Sequence, residues 1–193
     1  MAKTGKNGVY GIDEFSIADP AVNGAYPTSF PFKFKAIVSG SLTFNDQAAS
    51  TNDVEIEDSE DPYAVLTSSA ATKGFTAQTY DMSPETYQVL LGFTKSTDTK
   101  WNEEQPIETE IYKAVQIKTK TLDDIPAKVF QWSKMKLTVT RSGSISKTGL
   151  PNLNIEFRQM AVFNENGEKV SGHRWALLDE VKDTLEAAKK SSI

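Results

Sequence analysis

Residues 79–93 read TYDMSPETYQVLLGF, and the way they are read decides the fold. Ser83 suits an N-cap, its hydroxyl accepting from a backbone N–H that the first turn leaves without a partner. Pro84 follows at the first helical position, where a missing N–H costs nothing. Met82, before the cap, and Tyr87 can form a hydrophobic staple. Tyr87, Leu90 and Leu91 share a face, Gly92 supplies a left-handed end, and Phe93 can fold back on the last turn. A helix over 83–92 has only about two turns and is marginal in isolation. It has to be held by packing, and the chain around it reads as strand.

The strand signals lie on both sides. In 34–44, FKAIVSGSLTF, Phe34, Ala36, Val38, Gly40, Leu42 and Phe44 alternate with mostly polar residues, which predicts a half-buried strand. Residues 107–120, IETEIYKAVQIKTK, alternate over a longer span. Neither side of that strand is wholly apolar, so one side is expected to be wet or subunit-facing along part of its length. Further strands are expected at 71–81, 127–132, 134–142 and 152–163, with another candidate at 53–58. One-sided patterns favour antiparallel pairing, because parallel sheets usually bury both faces. Several long strands and few helices predict a mainly β protein, an antiparallel barrel or sandwich with a short flanking helix. Residues 1–34, rich in Gly, Pro and Asn yet studded with aromatics, read as an irregular arm pinned by those rings, on its own domain or on a neighbour. Residues 35–173 form the β domain in this reading. Residues 174–193 carry a C-terminal helix over 174–190, with Trp175, Leu178, Val181 and Leu185 as its apolar stripe.

Composition narrows the function. The 193 residues carry a net charge of −5, which argues against the basic footprint of a nucleic-acid-binding protein. Cysteine is absent, so there is neither a disulfide framework nor a thiolate metal site, and folding in a reducing cytoplasm is expected. The start, MAKTGKNGVYGIDEF, has no apolar core, which predicts no cleaved signal peptide. No apolar run approaches the length of a membrane helix.

The order of elements over 36–163, and the run DPYAVLTSSAATKGFTAQTYDMSPETYQVLLGF in particular, resembles the tail-tube (major tail) proteins of long-tailed bacteriophages. In those proteins a strand ending in an acidic D-(apolar)-(S/D)-P-E turn enters a short helix closing in Leu-Leu-Gly. The matching residues here are Asp81, Met82, Ser83, Pro84, Glu85, Leu90, Leu91 and Gly92. The resemblance implies a barrel or sandwich flanked by that helix, six copies of which close into a ring. Rings then stack into a tube that conducts DNA from capsid to cell without binding it specifically. It further implies other tail proteins as partners, a place in the virion tail after folding in the host cytoplasm, no membrane partner and no cofactor. It says nothing of the N-terminal arm or the C-terminal helix.

Charge is segregated along the chain. Segment 45–72 holds seven acids (Asp46, Asp53, Glu55, Glu57, Asp58, Glu60 and Asp61) and no Lys or Arg, whereas 113–147 holds eight bases. Solvated faces are one explanation. The other is that Asp53, Glu55, Glu57, Asp58, Glu60 and Asp61 reach a basic surface on the next ring, where complementary charge sets register. The stretch DVEIEDSED lacks the spacing of a calcium loop, so no metal site is expected there. Catalysis finds little footing. There is one histidine, His173, near Ser171 and Arg174 but without a Gly-x-Ser-x-Gly elbow, and no phosphate-binding loop. The rival reading is a carbohydrate-binding β-sandwich, with Trp101, Tyr112 and Trp132 stacking on sugar rings.

Overall fold

The computed structural model describes residues 8–54, 57, 61, 64–96, 100–104, 110–147 and 149–190. The fold is mainly β. In chain order the elements are β1 (Tyr10–Ala18), β2 (Phe32–Lys33), β3 (Thr43–Phe44), β4 (Ser50–Val54), β5 (Ala64–Ser69), β6 (Gly74–Thr79), α1 (Pro84–Leu91), β7 (Thr94–Lys95), β8 (Asn102–Glu103), β9 (Ile111–Lys120), β10 (Lys128–Ser142), β11 (Asn152–Gln159), β12 (Val162–Phe163), β13 (Lys169–Val170), β14 (His173–Leu177) and α2 (Leu178–Lys190). One antiparallel sheet runs β2-β1-β9-β10-β11-β6-β3, with β14 also on β10. Three small hairpins, β4–β5, β7–β8 and β12–β13, stand apart from it.

The sheet curls strongly. Phe15 on β1 and Phe157 on β11 have two strands between them, which in a flat sheet means a separation of roughly 14 Å. Their ring centroids are 5.5 Å apart. Phe75 on β6 stacks on Phe157 at 4.6 Å and approaches Trp132 of β10 at 5.1 Å. This aromatic cluster, with Ile17, Val115, Met135, Leu153 and Ile155, is the core. The segment 34–44 spans the opening of the curl. The Phe34 amide donates to the Phe15 carbonyl on one side, and the Val38 amide to the Gln78 carbonyl on the other.

That segment is not the continuous strand its alternation predicts. Ala36 (φ 50°) and Gly40 (φ 74°) sit in left-handed backbone, which interrupts any ladder, and of the segment only Thr43–Phe44 (β3) is strand. Four other readings change. Residues 10–18, within the expected irregular arm, form β1 and pair with β9 along most of their length. Phe15 and Ile17 are core residues, so Phe15 is pinned on the chain's own sheet, while Tyr10 is exposed. The expected pair 127–132 and 134–142 is the single strand β10. It carries an irregularity between Trp132 and Met135, where its neighbour on one edge changes from β14 to β11. The expected strand 152–163 stops at Gln159, and Val162–Phe163 turns away to pair with β13. The helix expected from 174 begins at Leu178. Residues 173–177 are drawn into β14 by pairing with Lys128–Trp132, and Trp175 lies opposite Phe130 rather than on a helical stripe. Of the long strand expected at 107–120, Ile111–Lys120 is β9, and 105–109 lie outside the described residues.

Candidate assembly surfaces

The helix α1 forms as its sequence predicts. Ser83 is the N-cap, with its Oγ accepting from the Thr86 amide at 3.4 Å. Gly92 takes the left-handed conformation (φ 66°), and the Phe93 amide donates to the Tyr87 carbonyl at 3.3 Å. The Phe93 ring meets Tyr87 edge-on at 5.1 Å, and the Arg141 guanidinium of β10 lies over both rings. Leu90 is fully buried in the core, while Met82, Val89 and Leu91 pack on it from the side. Asp81 organises the entry. One carboxylate oxygen accepts from the Ser83 amide at 3.0 Å, the other from Thr86 Oγ1 at 2.8 Å. Burial alone would raise the Asp81 carboxyl, but the hydrogen bonds from Thr86 and Ser83 outweigh it and hold it below the ordinary value. Thr86, buried and bonded to Asp81, is absent from the expected packing set because an apolar-stripe reading passes over a threonine.

The acidic stretch sits on the β4–β5 hairpin. Asp53 is exposed on β4, across from Val65 on β5. Glu57 and Asp61 are exposed in the connection, while Glu55, Asp58 and Glu60 lie outside the described residues. The hairpin has no buried residue on either strand, and Val65 and Leu66 are 59% and 58% exposed. The Ser50 hydroxyl bonds those of Ser68 (2.6 Å) and Ser69 (2.7 Å), so the base of the hairpin is tied by side chains. A two-stranded hairpin with no packed face is at best marginally stable by itself.

The two faces of the β1-β9-β10-β14 region differ in kind. Pairing places Phe15, Ile117, Phe130 and Trp175 in one lateral row, and Ile17, Val115, Trp132 and His173 in the next. These face the core side. On the opposite face the rows are Ser16, Gln116, Gln131 and Arg174, then Glu14, Lys118, Val129 and Ala176. This face of β9 is polar, as its alternation indicates, but Ser16, Gln116, Val129 and Gln131 are buried, so it is covered within the chain rather than wet. Glu14 bonds Lys33 (2.5 Å) and Lys118 (2.9 Å), and Arg174 Nε donates to Gln131 at 2.8 Å while its guanidinium stacks on Tyr26. Burial would raise the Glu14 carboxyl, yet its two lysines hold it below the ordinary value.

No relay links Ser171 with the His173 ring. The Ser171 hydroxyl donates to the His173 backbone carbonyl (2.8 Å), and the ring stacks on Trp132 at 4.7 Å with Nε2 buried and without a hydrogen-bond partner. Burial and the Lys73 charge lower the His173 pKa, with Asp46 opposing. Trp132 is only 5% exposed, so it is a core residue and not a sugar platform, whereas Trp101 is 74% exposed. Tyr112 is engaged by Glu110 and lies under Lys134. Between the 34–44 segment and the sheet is a cavity of about 770 Å³ lined mainly by aromatic and aliphatic side chains. Among the described residues no cluster of His, Asp or Glu is placed to hold a metal ion, and no helix is long and apolar enough to cross a membrane. No protein-family model matches the chain, and no curated protein matches it in sequence.

Proposed function

We propose that this protein is a structural subunit of a phage tail tube, built to close into hexameric rings that stack into a conduit for DNA. The observation that carries the reading is the unpacked β4–β5 hairpin, which stands apart from a well-filled sheet and bears both acids and exposed Val65 and Leu66. Such a hairpin has no packing rationale within one chain, and a partner surface supplies one. The D-M-S-P-E entry into α1 and its Leu-Leu-Gly exit add the family likeness, on a helix seated against a curled antiparallel sheet. In the tube, the sheets of neighbouring subunits join into a barrel, which removes free strand edges. The hairpin, through Asp53 and Glu57, meets a basic surface of the next ring, a heterologous contact that propagates into a filament. Specific DNA binding has no part in this account, because a lumen that gripped phosphate would stall passage. Sedimentation velocity over a wide concentration range tests the proposal. A shift from monomer to ring-sized and larger species supports it, and a single monomer boundary throughout, coupled with glycan binding, favours the sugar-binding module with Trp101 as its platform.

A further inference from the structure

The two helices are held in very different ways. Leu90 of α1 is buried in the core, but no side chain from Leu178 to Ala187 of α2 is buried. The inward stripe of α2, Val181 and Leu185, faces a mixed part of the sheet in which Gln131 and Arg174 lie among Val129 and Ala176. Val181, Thr184 and Leu185 line one side of a cavity of about 150 Å³, and Val129, Gln131, Arg174, Trp175 and Ala176 line the other. Leu185 also shares a small void with Glu14, Gln116 and Lys118, closed on another side by Thr28–Phe30 and Lys33. On the same sheet face, in the row of Gln116, Gln131 and Arg174, the Ser16 hydroxyl is buried without a hydrogen-bond partner. Val181 and Leu185 stay partly exposed, so α2 recovers less from burial than a fully packed helix, and the 150 Å³ cavity lies beneath it. A gap of that size departs from the close packing of protein interiors and is roomy enough for water. The helix is anchored chiefly at its start, where the Leu178 amide donates to the Ala127 carbonyl at 2.9 Å. A helix held at its start, with no buried side chain from Leu178 to Ala187 and a gap beneath it, is suited to open.

We propose that α2 is a displaceable cover, hinged at Leu177–Leu178, that occludes the polar β1-β9-β10-β14 face in the free subunit and uncovers it on assembly. The occlusion is a property of the chain alone. Its role in delaying assembly rests on the tube reading.

Hydrogen exchange on the full chain tests the cover directly. Amides of Lys182–Ala187 should exchange on the order of a hundredfold faster than the paired amides of β10, as a locally opening unit does. Leu185→Asp should abolish the remaining α2 protection and leave β10 exchange unchanged. Exchange of α2 at the β10 rate, or β10 loosened along with α2 in Leu185→Asp, would overturn the proposal by making α2 part of the fold's foundation. The chain has no native cysteine, so a single disulfide can be introduced with Gln116→Cys and Leu185→Cys, whose positions line one void. The oxidised pair should block ring formation and its reduction should restore it, whereas rings from the oxidised form would overturn the assembly role. If the unlocked chain forms no rings under any condition, the tube reading fails, and the exchange result still decides the cover.

Discussion

At the scale of single residues, neighbouring side chains in one short helix carry unequal weight. Leu90 is wholly buried and Leu91 only partly so. Leu90→Ala is therefore expected to destabilise the chain by about 2–5 kcal/mol in urea denaturation, and Leu91→Ala by distinctly less. Equal losses would mean that the helix is seated on another face. Gly74 tests the sheet in the same way. A Cβ there would lie 2.2 Å from the Phe157 carbonyl oxygen, a contact with backbone that cannot swing aside. Gly74→Ala should cost roughly 1–3 kcal/mol and loosen the β6–β11 pairing, seen as faster amide exchange along β11. His173 gives a pH signature. Its pKa in the fold lies below the ordinary value of 6.5, because burial and Lys73 disfavour the imidazolium. The stability this neutral ring contributes is present above pH 6.5 and is lost as the pH falls through the lowered folded value. His173→Phe keeps an aromatic ring against Trp132 and should flatten that part of the stability–pH curve. An unaltered curve would show that His173 titrates as it does in the unfolded chain.

At the scale of elements, local and long-range information part company. The α1 helix was legible because its cap, its proline, its apolar stripe and its closing glycine are all encoded within about ten residues. β9 was legible from alternation, and so was its half-polar side, which continues across β1, β10 and β14, whereas β10 reads as two strands because only its neighbours show that one strand passes the irregularity at Trp132–Met135. β1 was not legible. Its Gly11 with positive φ and its register shifts beside β9 obscure the period, and only the partner strand a hundred residues away makes it regular. The start of α2 was misplaced for the same reason, since the pairing of His173–Leu177 with β10 overrides a helical spacing that continues back to Trp175. The hairpin β4–β5 was visible as an acidic stretch but not as a projection, because exposure on both faces is a tertiary fact. Its proposed role predicts that Asp53→Lys combined with Glu57→Lys shortens or abolishes tubes and leaves the melting midpoint unchanged. Raising ionic strength should weaken stacking of the native chain in the same direction, since exposed charges are screened over about 8–10 Å at near-physiological salt. Tubes of undiminished length in the double variant would remove the hairpin from the inter-ring contact.

At the scale of the whole molecule, the parts divide into a well-packed body and surfaces that a single chain leaves unfinished. The aromatic core, the 34–44 segment across the curl and α1 account for one another by packing. The exposed hairpin and the loosely covered polar face do not, and a repeating assembly gives both a use. Negative-stain electron microscopy of the purified full chain, dilute and concentrated, tests this most directly. The account predicts rings of six subunits that stack into hollow tubes as concentration rises. Particles that stay monomeric across the whole range, with and without a preformed tube end added as a seed, would contradict it.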